Sequence, residues 1–312
     1  HDITVFPSLN LAAGACSGNG IILDISDPRA PRRIDAVIDQ GFAYWHSATF
    51  SNDGTKVLFT DEWGGGGRPR CRAQDPADWG ADAIYTINDG QLEFGGYYKL
   101  PSAQSEEENC VAHNGSIIPV PGRDVFVQAW DQGGLSILDF TDPANAYEIA
   151  YFDRGPIDPD VMVLGGYWST YWYDGRIYGT EIVRGLDVFE LMPSDYLSEN
   201  EIAAARLADQ GQTFNPQQQY PVSWPEHPVV GLAYLDQLMR DEALPAEQAE
   251  ALYAALGQAA DAVDAGEDNA ALSRELRQLR RDLSGVSVQG EASVRRLSAL
   301  QDVIEGVSAS LR

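Results

Sequence analysis

A short phrase that occurs in three related forms constrains the fold of this chain more than any other feature of its sequence. HDITVFP at residue 1, YWHSATF at residue 44 and VAHNGSI at residue 111 each place a histidine and a polar residue ahead of a β-like run. Similarly, ILDISDP in the first repeat returns as ILDFTDP in the third. Short runs rich in Val, Ile, Tyr, Phe and Trp alternate with turn signals such as NDG, PGRD and YDG. The sequence therefore predicts an all-β region built from repeated units.

The repeats read as four short strands each, with a Gly- and Arg-rich insertion at 64–80 in the second repeat. Four-stranded units repeated around an axis are typical of a β-propeller, because a ring of blades protects the sheet edges. The fourth repeat, YWSTYWYDGRIYGTEIVRGLDVFEL, stops after three strands. We therefore expect about four four-stranded blades that are part of a larger ring, with the N-terminal blades of the same protein preceding this sequence.

The composition changes near residue 195, where Gly and aromatic residues give way to Ala, Leu, Glu, Gln and Arg at helical spacing. We predict propeller blades over 1–195, a helix and a Pro- and Gln-rich linker over 196–228, and a small α-helical bundle over 229–312. Ser198 and Glu201 match a capping box at the start of the first helix. The bundle is either a cap or spacer, or an element that docks to another protein or a surface component.

Charge and hydropathy exclude two classes of partner. The formal net charge is -26 and the pI is near 4.3, so we expect no nucleic-acid partner, because such a surface repels phosphates. No apolar run approaches the ~20 residues of a transmembrane segment. The acidity is either a solubility property, an adaptation to a salty medium, or an attraction for cations.

The chain has three cysteines and begins at His1 rather than at a methionine. We expect processing or truncation to have removed what came before. Cys71 and Cys110 flank the second repeat and can form a disulfide, which would leave Cys16 without a partner in this sequence. The alternative is three buried thiols that pack as small hydrophobic groups.

Several segments together resemble the LVIVD-repeat family of bacterial β-propellers. They are ILDISDPRAP, ILDFTDPANA, GLDVF, HDITVFP, FAYWHSATF, TDEWGGG, NCVAHNG and GYWS, and the resemblance covers roughly residues 1 to 192. It implies an exported, extracellular or cell-surface propeller with several more blades upstream and without an established activity. A disulfide would agree with that location.

The three histidines of the repeats are the candidate metal ligands: His1, His46 and His113. Because the first strand of each blade lines the central channel, these side chains should converge there, with Trp168 in the fourth equivalent position. Imidazoles held by separate rigid strands suit Zn, Cu or Fe, with Asp2 and Asn114 orienting the rings. The alternative is that each histidine caps its strand and bonds the backbone of a neighbouring blade.

The ends of the second strands offer a second set of candidates at the rim of the channel. Asp61 and Glu181 occupy equivalent positions, and Glu62 follows directly. Such carboxylates can bind Ca²⁺ or act as an acid and base pair. The alternative is solvated rim residues, or ion pairs with Arg184 or Arg68.

Two functions fit these patterns. The first is a binding or scaffold module on the cell surface or outside the cell. The second is a metal-dependent enzyme, an oxidoreductase or a hydrolase, with the histidine-lined channel as its active site. The fold alone does not choose between them, because propellers host both.

Overall fold

The computed structural model describes residues 1–211 and 214–312 and divides the chain into two compact units. The strand unit comprises 1–118, 124–191 and 210–222. The helical unit comprises 119–123, 192–209 and 223–312. Residues 212 and 213, at the start of the predicted Pro- and Gln-rich linker, lie outside the described residues.

The strand unit confirms the predicted β-propeller architecture, with four antiparallel blades in which the strands follow one another in chain order. Blade 1 contains β1 (Ile3–Phe6), β2 (Leu11–Ala15), β3 (Gly20–Asp24) and β4 (Arg32–Val37). Blade 2 contains β5 (Trp45–Phe50), β6 (Lys56–Asp61), β7 (Asp82–Asn88) and β8 (Gln91–Tyr98). Blade 3 contains β9 (Gly115–Ile118), β10 (Val125–Ala129), β11 (Leu135–Asp139) and β12 (Tyr147–Phe152). Blade 4 has three strands, β13 (Tyr167–Tyr173), β14 (Arg176–Glu181) and β15 (Gly185–Phe189), as the sequence predicts.

The first strands of successive blades lie side by side. The amide of Asp2 donates to the carbonyl of His46 at 3.0 Å, which joins blade 1 to blade 2. Asn114 and Ser169 form a parallel bridge between blades 3 and 4. These backbone contacts satisfy groups at the inner edge of each sheet and bring the strand-opening residues of the repeats close together.

Aromatic side chains fill the space between the blades. Trp45 and Phe59 of blade 2 are buried and meet edge to face, with their ring centroids 5.2 Å apart. Gly20 of blade 1 leaves room for this packing, because a Cβ there would lie 2.6 Å from the Trp45 ring. The aromatic residues of the strands therefore contribute to the core between the blades, because large flat side chains bury much apolar area.

A disulfide closes the insertion of blade 2. Cys71 and Cys110 are bonded, as the sequence predicts, across a sequence separation of 39 residues, and Cys16 is a free, exposed thiol. The alternative of three buried thiols is therefore wrong. Within the insertion, Arg72 donates to both carboxylate oxygens of Asp75 at 2.8 and 3.0 Å. The loop is thus held by a covalent bond and by a charged pair.

We predict that replacing both Cys71 and Cys110 with alanine lowers the free energy of unfolding of the strand unit by about 4 kcal/mol, because the unfolded chain regains the freedom of the closed loop. Denaturant unfolding followed by tryptophan fluorescence measures this. Cys16→Ala is the matched control and should change stability by less than ~0.5 kcal/mol, as exposed sites usually do. Equal stability of the double variant and the control would contradict the prediction.

Residues 210–222 belong to the strand unit, although the sequence predicts a linker there. Val5 of β1 bonds Gln217 and Gln219 through the backbone, with both N–O distances 2.9 Å. The side-chain amide of Gln219 accepts from the amide of Phe50 at 2.7 Å and donates to its carbonyl at 2.9 Å. A glutamine-rich segment can pair with open strand backbone in this way, which composition alone does not reveal.

The helical unit confirms the predicted α-helices. They are α1 (Glu199–Arg206), α2 (Pro228–Arg240), α3 (Ala246–Ala265), α4 (Ala270–Leu283) and α5 (Glu291–Ser310). The capping box of Ser198 and Glu201 is present, and Gly266 ends α3 in the left-handed conformation. Leucine and alanine side chains form the core of this unit. None of the described helices combines the length and hydropathy that crossing a bilayer requires.

Glu201 is the charged centre of the helical unit. Its buried carboxylate accepts from Arg123 at 2.9 Å and from Arg240 at 2.6 Å. Burial raises the pKa of Glu201, but the hydrogen bond from Arg240 and the charge of Arg123 outweigh it, so the pKa lies below its usual value of 4.5. The ionised carboxylate is therefore the form that stabilises this unit.

We predict that Glu201→Gln lowers the free energy of unfolding of the helical unit by about 3 to 5 kcal/mol near neutral pH, because two guanidinium groups lose their buried partner. The wild-type stabilisation is present above about pH 4.5, the unfolded-state pKa, and is lost as the pH falls through the lower folded-state pKa. The difference in the free energy of unfolding between variant and wild type should therefore become smaller at acidic pH. Urea titrations monitored by circular dichroism at neutral and acidic pH measure it, and a gap independent of pH would count against the prediction.

Candidate metal centre

The repeat residues form a column of rings at the inner edge of the four blades. The ring centroids of His1 and His46 are 4.1 Å apart, and those of His46 and His113 are 4.3 Å apart. Trp168 lies edge-on to His113 at 4.9 Å. The structure thus brings together the four positions that the sequence assigns as equivalent.

Glu62 lies between the two buried histidines. The Nε2 atom of His46 is 3.5 Å from one oxygen of Glu62, Oε2, and the Nε2 atom of His113 is 3.5 Å from the other, Oε1. All three residues are buried, and their candidate ligand atoms lie within 4.8 Å of one another. Glu62 is placed there because β6 ends at Asp61 and the amide of Glu62 then donates to the carbonyl of Tyr44 at 2.9 Å.

The orientation of His113 leaves a nitrogen lone pair facing the carboxylate. Its Nδ1 donates to the backbone carbonyl of Trp168, which can only accept. In the neutral ring the lone pair is therefore on Nε2, which has no hydrogen-bond partner among the described residues. Two acceptors 3.5 Å apart repel each other unless a cation or a proton lies between them. The contact with Trp168 also matches the predicted alternative, in which a histidine bonds a neighbouring blade.

The donor set fits a transition-metal ion. A tetrahedral ion with bonds of about 2.1 Å holds its ligand atoms roughly 3.4 Å apart. Each histidine nitrogen is 3.5 Å from its own oxygen of Glu62, and one ligand atom from each of the three residues lies within 4.8 Å of the others. A backbone carbonyl that accepts from the second nitrogen, as at His113, is the usual support for a ligating imidazole. Two imidazoles and one carboxylate are ligands that Zn and Fe share.

His46 is held in its neutral form. Burial, together with the nearby His113, lowers the pKa of His46 to about 3. The ring is almost fully buried, and its Nδ1 has no hydrogen-bond partner in the described chain. An imidazole in this setting retains a lone pair for a metal at physiological pH.

The third predicted histidine contributes to a second, overlapping group. Candidate ligand atoms of His1, Asp2 and His46 lie within 4.8 Å of one another, and His1 Nδ1 is 3.0 Å from Asp2 Oδ1. Burial raises the pKa of Asp2. His1, His46 and His113 therefore form two groups that share His46, rather than one cluster of three nitrogens around a point.

Asp131 borders the centre and is absent from the candidates that the sequence provides. A Cβ on Gly66 would lie 3.1 Å from Asp131 Oδ2 and 3.6 Å from Glu62 Oε1, so both carboxyl groups face the same space. Asp131 is buried, its Oδ2 has no hydrogen-bond partner among the described residues, and its φ of 49° is left-handed. Burial, followed by the charge of Glu62, raises the pKa of Asp131 well above its usual value. The clue in the sequence is an aspartate opening the DQGG turn.

Asp61 and Glu181 bond the backbone of neighbouring loops. They end their strands opposite Trp45 and Tyr167, in equivalent registers. The carboxylate of Asp61 accepts from the amides of residues 43, 44 and 80, and that of Glu181 from the amides of residues 166, 183 and 184. Burial raises the pKa of Asp61 to about 6, against the lowering effect of these amides. Neither residue forms an ion pair with Arg68 or Arg184 in the described chain.

Asn114 and Trp168 complete the predicted rim. Asn114 lines a cavity of about 30 Å³ together with Asp2, Ser47 and Tyr171. The side chain of Trp168 is half exposed, and its carbonyl orients His113. Both residues therefore border the column of rings without joining either ligand group.

We predict that Asp61→Asn destabilises the strand unit by about 1 to 3 kcal/mol and leaves metal binding intact. The new amide group would face the backbone N–H of Gly80, which loses its acceptor. Thermal unfolding and metal analysis of the refolded protein measure the two effects. Asp27→Asn, at an exposed turn, is the control, and loss of metal without loss of stability would show that Asp61 is a ligand.

Comparisons with protein-family models and with curated proteins find no match. Among solved structures, a protein from Lactobacillus plantarum is 13% identical with a TM-score of 0.43, over 61% of this chain and 53% of that chain. Hydrazine synthase from Kuenenia stuttgartiensis is 12% identical with a TM-score of 0.40, over 61% and 58%. The designed protein Ika4 is 9% identical with a TM-score of 0.38, over 59% and 86%. This chain spans about half the length of the first of these structures, and similarities this low assign no activity.

Proposed function

We propose that this chain is part of an exported β-propeller of the LVIVD-repeat type that binds a divalent transition-metal ion in its channel, through His46, Glu62 and His113. The proposed function depends on this metal site. The resemblance of the repeats and the disulfide between Cys71 and Cys110 support the location outside the cell.

One observation carries the proposal. A buried carboxylate faces two buried imidazole nitrogens at 3.5 Å each, and His113 donates its other nitrogen to a carbonyl. Without a cation or a proton between them, Glu62 and the Nε2 lone pair of His113 would bring two acceptors together in a site of low dielectric, which is costly. A divalent ion between them removes that repulsion.

The types of ligand restrict which ions this site can bind. Imidazole and carboxylate together suit Zn²⁺ and Fe²⁺, whereas Ca²⁺ and Mg²⁺ prefer oxygen ligands alone. Three protein ligands leave at least one coordination position for water or for a bound molecule. The propeller would therefore serve as a binding module whose ligand contacts the ion, and the helical unit would dock to another protein or a surface component.

A metal-dependent oxidoreductase or hydrolase is the second candidate, and Asp131 is the observation that favours it. Its unpartnered Oδ2 faces the same space as Glu62 Oε1, beside Gly66. A carboxyl group at that position can take a proton from, or return it to, a molecule on the ion.

We predict that the purified protein binds Zn²⁺ or Fe²⁺ and that Glu62→Gln and His113→Ala each weaken binding of that ion at least about tenfold, because each removes one of three ligands. Competition with a chromogenic chelator measures the affinity. His227→Asn is the matched control: it changes a histidine that caps α2 through Val229, and asparagine caps helices equally well.

The result that would overturn the proposal is equal affinity in the wild type, Glu62→Gln and His113→Ala proteins, with circular dichroism showing that all three are folded. Weakening in both variants, with the His227→Asn control unchanged, would support the site. Metal-dependent turnover that Asp131→Asn abolishes without loss of the ion would favour the enzyme.

A further inference from the structure

One nitrogen of His46 is left without a role by the site just described. His46 Nε2 faces Glu62, but Nδ1 is buried and has no hydrogen-bond partner within residues 1–211 and 214–312. His46 is only 1% exposed, so bulk water does not satisfy this atom. Buried polar atoms in native proteins are almost always paired, and an orphan therefore points to a missing partner.

A second set of ligands lies beside the same ring. His1 stacks on His46 with an interplanar angle of 29°, and its Nδ1 contacts Asp2 Oδ1 at 3.0 Å. The ligand atoms of His1, Asp2 and His46 lie within 4.8 Å of one another. Two nitrogens and one carboxylate oxygen repeat the donor types of the group around Glu62.

There is polar space next to this second group. The cavity of about 30 Å³ is lined by Asp2 and by the side chains of Ser47, Asn114 and Tyr171, among others. A cavity needs about 10 to 15 Å³ to hold one water molecule, and hydroxyl and amide groups can hold that water in place. Of the three ligand residues Asp2 lines this cavity and His1 and His46 do not, so a water held there would approach an ion from the side of Asp2.

We propose that a second divalent ion is held by His1, Asp2 and Nδ1 of His46, so that the imidazole of His46 bridges two ions. This proposal rests on the proposed function, because the first ion occupies the Nε2 side of the same ring. When both nitrogens bind ions, the ring proton is released to solvent. Glu62 and Asp2 each supply one negative charge to offset the ions.

The decisive measurement is metal stoichiometry by native mass spectrometry after loading with Zn²⁺. The wild-type chain should bind two ions, Asp2→Asn one, Glu62→Gln one and His46→Ala none. Asp27→Asn, which changes an exposed carboxylate that bonds Arg29, should still bind two.

The paramagnetic resonance signal of bound Cu²⁺ is a second measurement, and unfolding of a variant does not produce the expected change in it. With Cu²⁺, which imidazole binds well, two ions that share one imidazole are magnetically coupled. The wild type should therefore show a weakened paramagnetic resonance signal, and Asp2→Asn should show the full signal of one isolated Cu²⁺.

The outcomes separate the two proposals. One ion in the wild type, lost in Glu62→Gln but retained in Asp2→Asn, would overturn the bridge and leave the first site standing. No ion in the folded wild type would overturn both. Two ions in the wild type, with one left in each single-group variant and coupled Cu²⁺ signals, would support the bridge.

Discussion

The contact between Glu62 and the Nε2 atoms of His46 and His113 is the constraint on which the inner part of the propeller depends. Three groups that each offer lone pairs meet in a buried space, at 3.5 Å on both sides. In the proposed site a divalent ion lies among them and offsets the repulsion that the low dielectric strengthens. Under that proposal the blades hold a geometry that is complementary to an ion.

The backbone of the blades explains how that geometry is held. Asp61 ties the loop before β5 and the chain after the insertion to the end of β6, and the amide of Glu62 donates to the carbonyl of Tyr44. The amide of Tyr167 donates to the carbonyl of Asp131 at 2.8 Å, which joins blades 3 and 4. The candidate carboxylates at the ends of the second strands thus divide into two kinds: Asp61 and Glu181 bond backbone amides, whereas Glu62 faces the two buried histidines.

The repeat pattern predicts the blades, the three-stranded fourth blade and the alignment of the three histidines with Trp168, and the cysteine positions give the disulfide as one of two alternatives. The repeat pattern predicts less of the candidate site. An alignment of strands gives the equivalent positions in each blade, but it does not give the directions in which the side chains point. Glu62 lies one residue beyond the aligned Asp61, and its role depends on the turn that carries it into the channel. Asp131 depends on a left-handed backbone that composition does not encode. The association of residues 210–222 with the strands depends on side-chain amides of glutamine, which also occur in linkers.

The most direct test of the central claim is a crystal structure of the metal-loaded protein with anomalous diffraction data collected on both sides of the absorption edge of the bound ion. The account predicts an anomalous peak about 2.0 to 2.2 Å from the Nε2 atoms of His46 and His113 and from an oxygen of Glu62. A well-ordered site in which these atoms surround a water molecule, or contact each other through a shared proton and without a peak, would contradict it.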